Sequence, residues 1–297
     1  MTGILSVVIQ SLILSIMALG VYISYKILDF PDLSADGSFT LGGAIIAFSL
    51  AHNISPIMGT LLAILCGLIS GLVTGILHIK LKISNLLSGI LVMGMLYSIN
   101  LGIMGQSNLP LFNFNHLFNS RISPLLLVIG LVLLCKFILD LFLTTGLGYT
   151  LKAVGDNPQM VKSLGIDVGT IKIFGLMLSN GLVAFSGSLF AQFQGFSDTN
   201  MGIGTLVLGI ASIIIGLSLF KKFTAIKATT AIIVGTLVYQ FTIFLALSLG
   251  MISPNNLKLM TSIIIILFLS VGNLNVFTNK NNSNTSSQKR GVVNVTN

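Results

Sequence analysis

All seven acidic residues of this 297-residue chain are aspartates: Asp29, Asp32, Asp36, Asp140, Asp156, Asp167 and Asp198. In a strongly apolar chain, the chemistry open to carboxylates is ion coupling, and carriers driven by a proton or sodium gradient keep such groups inside their spans. Only Asp140 lies within a full apolar run. Lys136 precedes it by four residues, a spacing that lets the two face each other on a helix and neutralise one another. Asp29, Asp32, Asp36 and Asp198 fall at segment breaks. Coupling through side-chain carboxylates is therefore poorly supported, although backbone carbonyls can still hold sodium.

Other chemistries have even less to work with. There is no GxxxxGKS/T phosphate loop. No HExxH motif or Cys/His cluster has metal-ligand spacing, so no metal site is expected. Cys66 and Cys135 sit in apolar runs and read as small core residues. His52, His78 and His116 fall at span ends or in a loop and read as interfacial polar groups. No nucleophile is paired with a base.

The elements around these residues are membrane helices. The chain is 54% hydrophobic and 7% charged, against about 25% charged in soluble domains. Several apolar runs reach the ~20 residues that cross a bilayer, and none alternates as barrel strands do. The fold class is all-α, a polytopic helical membrane protein with about eight full spans plus one broken or re-entrant segment. The full spans read as 4–25, 57–79, 83–104, 122–144, 168–191, 205–220, 228–249 and 259–271. The first lacks a basic leader region and a cleavage site, so it reads as a retained span. Residues 39–51, after the polar stretch 29–38, are too few for a straight crossing and read as the broken segment. Gly67, Gly71 and Gly75 recur every fourth residue and predict close packing of another helix.

Net charge is +8. Lys80, Lys82, Lys152, Lys162, Lys172, Lys221, Lys222, Lys227, Lys280, Lys289 and Arg290 can all lie on one side, leaving Lys26, Arg121 and Lys258 for the other. The positive-inside rule makes the first side cytoplasmic. With eight spans both termini are cytoplasmic; if 39–51 crosses, the N-terminal end flips. No basic stripe on a soluble face suggests nucleic-acid binding.

The longest polar interruption is GLGYTLKAVGDNPQMVKSLGIDVGTIK, residues 146–172. It carries a full set of helix signals: Asn157 as N-cap, Pro158 at the first helical position, and Gly165 where a left-handed residue ends a helix. Between them QMVKSL makes about two turns. Met160, Val161 and Leu164 share one face, with Lys162 and Ser163 on the other. So short a helix needs something to dock on. The expected partner surface is apolar packing by Met160, Val161 and Leu164, with Lys152, Asp156 and Lys162 setting register at the rim.

A solute pathway is sought among polar residues at membrane depth. Asp32, Ser34, Asp36, Gly37 and Ser38 either line a cavity or form a surface turn at the outer face. Asn85, Ser88, Tyr97, Ser98 and Asn100 in one span either face solute or join helices, and Asp198 is a further candidate. Phe30-Pro31-Asp32 and Phe196-Ser197-Asp198 each precede a Gly-rich apolar segment, a faint echo of an internal repeat.

Five stretches carry a family resemblance: DFPDLSADGSFTLGGA (29–44), LLSGILVMGMLYSINLGIMGQSNLPL (86–111), LKAVGDNPQMVKSLGID (151–167), GLMLSNGLVAFSGSLFAQFQGFSDTNMGIGTLVLGIASIIIG (175–216) and LSLFKK (217–222). Together they resemble the permease subunits of bacterial ABC importers, in the branch related to branched-chain amino acid and ribose permeases. The resemblance covers about residues 1–275. It implies a type II importer-like fold in the bacterial cytoplasmic (inner) membrane, a homodimer, two cytoplasmic ATPase subunits and an extracytoplasmic substrate-binding protein. ATP and magnesium would belong to the ATPase, with no cofactor in this chain. It also implies that 152–167 is the coupling helix that enters a cleft of the ATPase, and it suggests an aromatic amino acid as solute. The permease domain is expected over 1–278, with a disordered cytoplasmic tail over 279–297. A gradient-driven secondary carrier and a membrane scaffold are the alternatives.

Overall fold

A computed structural model describes residues 3–119, 123–221, 223, 226–248, 262–263 and 266. Ten α-helices and one two-stranded antiparallel sheet lie among the described residues. They are α1 (Gly3–Val21), extended by a π-helical turn Tyr22–Ile27; α2 (Ser34–Ala51); α3 (Pro56–Ile79); α4 (Asn85–Met104); β1 (Asn108–Pro110); α5 (Pro124–Phe142); α6 (Gly146–Asp156); α7 (Pro158–Ser163); α8 (Val168–Gln194); β2 (Phe196–Asp198); α9 (Thr205–Leu219); and α10 (Ala228–Ser248). By contacts the chain divides into residues 1–241, described below, and a second unit from 242 onward. The expected span 259–271 lies almost wholly outside the described residues, as do Arg121, Lys222, Lys258 and the tail 279–297 with its boundary at 278.

Seven of these helices are long and apolar enough to cross a bilayer: Gly3–Ile27, α2, α3, α4, α5, α8 and α10. The chain is thus a polytopic helical membrane protein. Two expectations are corrected. Residues 39–51 are not a fragment, because the helix begins at Ser34 and takes the polar sequence SADGS into its first turns. The short member is instead α9, whose fifteen residues fall below the bilayer requirement. It starts beside Asp36 in the first turn of α2.

The core is built on α8, buried along most of its length. The Gly67/Gly71/Gly75 face of α3 lies on it as the spacing predicts. A Cβ on Gly67 would come within 2.5 Å of the Ala184 side chain, and one on Gly71 would overlap the Leu176 carbonyl oxygen. On α2 and α8, Gly42 and Gly187 approach backbone as closely, each against the other helix. Hydroxyls tie in α1: Ser179 donates to the Gly20 carbonyl (2.8 Å) and Ser186 to that of Ile13 (2.7 Å).

The turns sort onto two ends. Phe30 meets His78 edge-on (5.1 Å between ring centroids), and Gly155 abuts the Ile27 carbonyl. Residues 26–32, 78–82 and 143–167 therefore share one end. At the other end β1 pairs antiparallel with β2, Asn108 opposite Asp198 and Pro110 opposite Phe196. This moves Lys26 from the sparse side to the basic one, so the asymmetry is stronger than expected, and the basic end is the cytoplasmic one. Because Lys26 ends the first helix at the basic end, Gly3 begins α1 at the opposite end, and the stretch 29–33 lies toward the basic end rather than in a turn at the other.

Candidate functional site

The basic end presents two successive helices where the sequence suggested one. Thr145 opens α6 by accepting the Gly148 amide (3.3 Å). Asn157 then breaks the helix and caps the next, its Oδ1 accepting the Met160 amide at 3.1 Å. Pro158 occupies the first position of α7, and Gly165 ends the unit at φ +78°. The capping residues therefore act as predicted.

The faces differ from the expectation. Val161 is 2% exposed, while Met160 and Leu164 are 61% and 67% exposed. The three do not form one outward surface. Val161 is about 100° from Met160 around the helix and turns into the same core as Leu151, Val154, Ile27, Leu28 and Leu176. Lys152 is not at the rim either. Its ammonium donates to the Leu143 carbonyl at 3.1 Å, closing the end of α5, and lies 5.3 Å from the Tyr149 ring centre. Asp156, Asn157, Pro158, Met160, Lys162, Leu164 and Gly165 are exposed. The unit thus has an inner face seated on the bundle and an outer face of mixed charge and hydrocarbon. A Cβ on Gly155 would overlap the Ile27 carbonyl oxygen, so α6 packs directly against the π-helical end of α1.

Just beyond, Asp167 caps α8 by accepting the Gly169 amide (3.0 Å) and the amide and hydroxyl of Thr170. These bonds, the Thr170 hydroxyl first, hold its carboxyl below the usual value of 3.8.

The polar pathway candidates divide in two. One set is buried where α2, α3, α4 and α8 meet. Asp32 is wholly buried; its carboxylate accepts the Asn180 amide (2.7 Å) and the Ser34 backbone amide (2.9 Å). Ser34 donates to Asn180 Oδ1 (3.3 Å), and Thr74 donates to Ser34 (3.0 Å). The hydroxyls of Ser38 and Ser70 are 2.7 Å apart. Asn100 donates to the Gly37 carbonyl (3.2 Å), leaving its Oδ1 buried without a partner. Ser88 bonds back to the Asn85 carbonyl (2.8 Å). Asp36 reaches α9, as described below.

Apart from Asn100 Oδ1, these groups bond to one another or to nearby backbone, and the bonds link α2 to α3, α4 and α8. Asp32 and Asp36 each sit at a helix N-terminus, where backbone amides and the macrodipole stabilise an anion. The other set is apart from them. Tyr97 and Ser98 face outward from α4, and Asn85 is half-buried at its start. Asp198 is in the strand pair at the far end, where it accepts from Asn108 (3.2 Å) and from the Asn200 amide (2.7 Å). Like Asp32 it accepts the backbone amide two residues on, but it lies in the strand pair rather than in the buried seam.

Asn180 is the residue that sequence reasoning missed. Its signal was a lone amide in the span GLMLSNGLVAF. The Lys136–Asp140 pair forms as predicted at 2.8 Å, and Lys227 and Thr229 join it. Among the described residues, Cys66 and Cys135 are unpaired with each other, and no cluster of three or more His, Cys, Asp or Glu side chains is placed to hold a metal.

A family model described as the permease component of branched-chain amino acid transport systems matches residues 3–270. The chain is 72% identical to a tyrosine transport system permease protein of Clostridioides difficile, over 95% of this chain and 96% of that one. It is 35% identical to an uncharacterised protein of Rickettsia prowazekii, over 88% and 94% of the two chains. A probable branched-chain amino acid transport permease of Methanocaldococcus jannaschii is 27% identical over 71% and 72%. No solved structure matches the chain. The chain therefore belongs to the permease-component family of branched-chain amino acid transport systems, as a multi-pass ABC importer subunit of the cytoplasmic membrane.

Proposed function

We propose that this permease works as a homodimer with two ATPase subunits and an extracytoplasmic binding protein, and that it imports tyrosine or a closely related aromatic amino acid. The substrate rests on one observation, the 72% identity along nearly the whole chain to a protein named for tyrosine transport. The energy source rests on the chain's own geometry. No phosphate loop is present, and the capped helix α7 offers Met160 and Leu164 outward while Val161 ties it to the bundle. ATP-driven closure of the motor dimer would press on Asp156, Pro158, Met160, Lys162, Leu164 and Gly165. Gly155 would pass that motion to Ile27 and α1. The exposed face of α4, with Tyr97, Ser98 and open space over Gly94 and Gly102, supports a second copy as its neighbour and solute passage between the two.

The test is uptake of labelled tyrosine by cells deprived of their own aromatic permeases and given this chain with an ATPase and a binding protein encoded beside it. Uptake should require an intact nucleotide site in the ATPase and be competed by phenylalanine more than by leucine. Uptake that survives loss of ATP hydrolysis would favour the gradient-driven carrier.

A further inference from the structure

A charged cluster at the cytoplasmic end is not used by any of this. Asp140, in the last turn of α5, accepts from Lys136 at 2.8 Å and lies 3.3 Å from the Lys227 ammonium, both on Oδ2. Its Oδ1 accepts the Thr229 hydroxyl at 2.6 Å. One carboxylate therefore gathers two ammonium groups, and the cluster keeps a net charge of about +1 at neutral pH. Lys136 lies six residues before the end of α5, roughly 9 Å into the bilayer side. Its stem runs toward the membrane surface to reach Asp140, as lysines near span ends do. Lys227 is 63% exposed.

The cluster forms one wall of an open cavity of about 500 Å³, whose other walls are Leu133, Phe137, Leu141 and Thr144. The three apolar side chains are all more than half exposed, and they form a strip leading from the lysines toward the bilayer interior. The Thr144 hydroxyl is taken by the Leu141 carbonyl (2.7 Å), so the polar recognition available here is cationic.

We infer that this cavity is a binding site for an anionic phospholipid of the inner leaflet. Its phosphate lies against Lys227 and Lys136, and an acyl chain lies along Leu133, Phe137 and Leu141. The chemistry is complementary at both ends. Surplus positive charge at the headgroup level attracts anionic lipid, and hydrocarbon below it receives the tail. Asp140 sets the geometry: without it the two ammonium groups would repel and separate. The other exposed stretches of α5, and those of α3, present hydrocarbon alone and would treat all lipids alike.

The chain contains no tryptophan, so Phe137→Trp places a single reporter in the site. The full-length variant is reconstituted in phosphatidylcholine vesicles carrying either brominated phosphatidylglycerol or brominated phosphatidylcholine, and quenching gives the relative affinity for the two lipids. Phosphatidylglycerol should be preferred about fivefold, the worth of one lysine at a membrane surface. Lys227→Gln, which leaves the Lys136–Asp140 pair intact, should bring the ratio near one; Lys227→Arg should restore it. Lys80→Gln, in a turn elsewhere at the same end, should leave it unchanged. Equal quenching by the two lipids in the parent overturns the site, as does an equal loss from Lys80→Gln. If inorganic phosphate at constant ionic strength erases the preference, the site takes a soluble anion and the lipid assignment fails.

Discussion

Asp36 Oδ1 accepts the Leu206 amide at 2.7 Å, so a carboxylate in the first turn of α2 closes the N-terminus of α9. The same oxygen accepts the Thr205 hydroxyl (3.0 Å), and Oδ2 accepts the Gly204 amide (2.9 Å). The first amides of a helix have no intrahelical partner, and each one left orphaned where it is buried, as at Leu206, costs roughly 1–3 kcal/mol. Asp36→Ala should therefore lower the melting temperature of the detergent-solubilised protein sharply. Asp36→Asn keeps one acceptor oxygen and should fall between it and the parent. An Asp36→Ala protein that melts like the parent would show that the start of α9 is satisfied otherwise.

Glycine positions separate packing inside the chain from packing between chains. Gly71→Val should collapse expression, because any side chain there meets the backbone of α8 at Leu176. Gly94→Ala meets nothing within 4 Å and should be neutral or slightly stabilising in the isolated chain, since alanine favours a helix interior by roughly 0.5–1 kcal/mol. If two copies meet along α4, a bulkier Gly94→Leu should reduce dimer recovery in mild detergent while the melting temperature holds. Ser98→Cys should then form an intermolecular disulfide on mild oxidation. Absence of that cross-link, with the cysteine reactive to maleimide, would point to lipid on this face.

Membrane class, the spans 57–79 and 83–104 (observed as Pro56–Ile79 and Asn85–Met104), the close α3–α8 contact and the caps of α7 were all legible, because each rests on a local pattern: apolar length, a four-residue repeat, or a cap residue at fixed spacing. Residues 34–38 misled because SADGS is a poor helical sequence on its own. It is helical since Asp32 and Asn180 supply the polar partners its start needs, and those lie 148 residues apart. The placement of Lys26 failed for a related reason, as it followed from treating 29–38 as an outer turn. Val161 failed because a two-turn helix has too few residues to reveal which apolar side chain faces its own protein.

The corrected faces of α7 give a paired test. Leu164→Asp changes an exposed side chain and should leave insertion and melting unchanged while abolishing transport and transport-linked ATP hydrolysis. Val161→Asp buries a charge in the seat of the helix and should lower melting and expression first, a loss typical of an unpaired charge in a core. If Leu164→Asp retains both activities, α7 is not the contact for the motor. If the two variants destabilise equally, the division into inner and outer faces is wrong.

Asp167 adds a pH dependence whose sign is fixed by its bonds. The Thr170 hydroxyl and the Gly169 amide favour the carboxylate, so its pKa is lower folded than the unfolded value of 3.8. A depressed carboxyl stabilises the fold above the unfolded pKa, and the contribution fades as pH falls through the folded value. Asp167→Asn still caps the helix, asparagine being as good an N-cap as aspartate, but it has no charge to titrate. The parent should melt above Asp167→Asn at pH 5 to 7, and the gap should close below the ordinary carboxylate range. The cap is fully exposed, so the gap should be small and should shrink in high salt. A gap that widens on acidification would mean that the protonated form is the one this helix start prefers, and the assigned hydrogen bonds would have to be reversed.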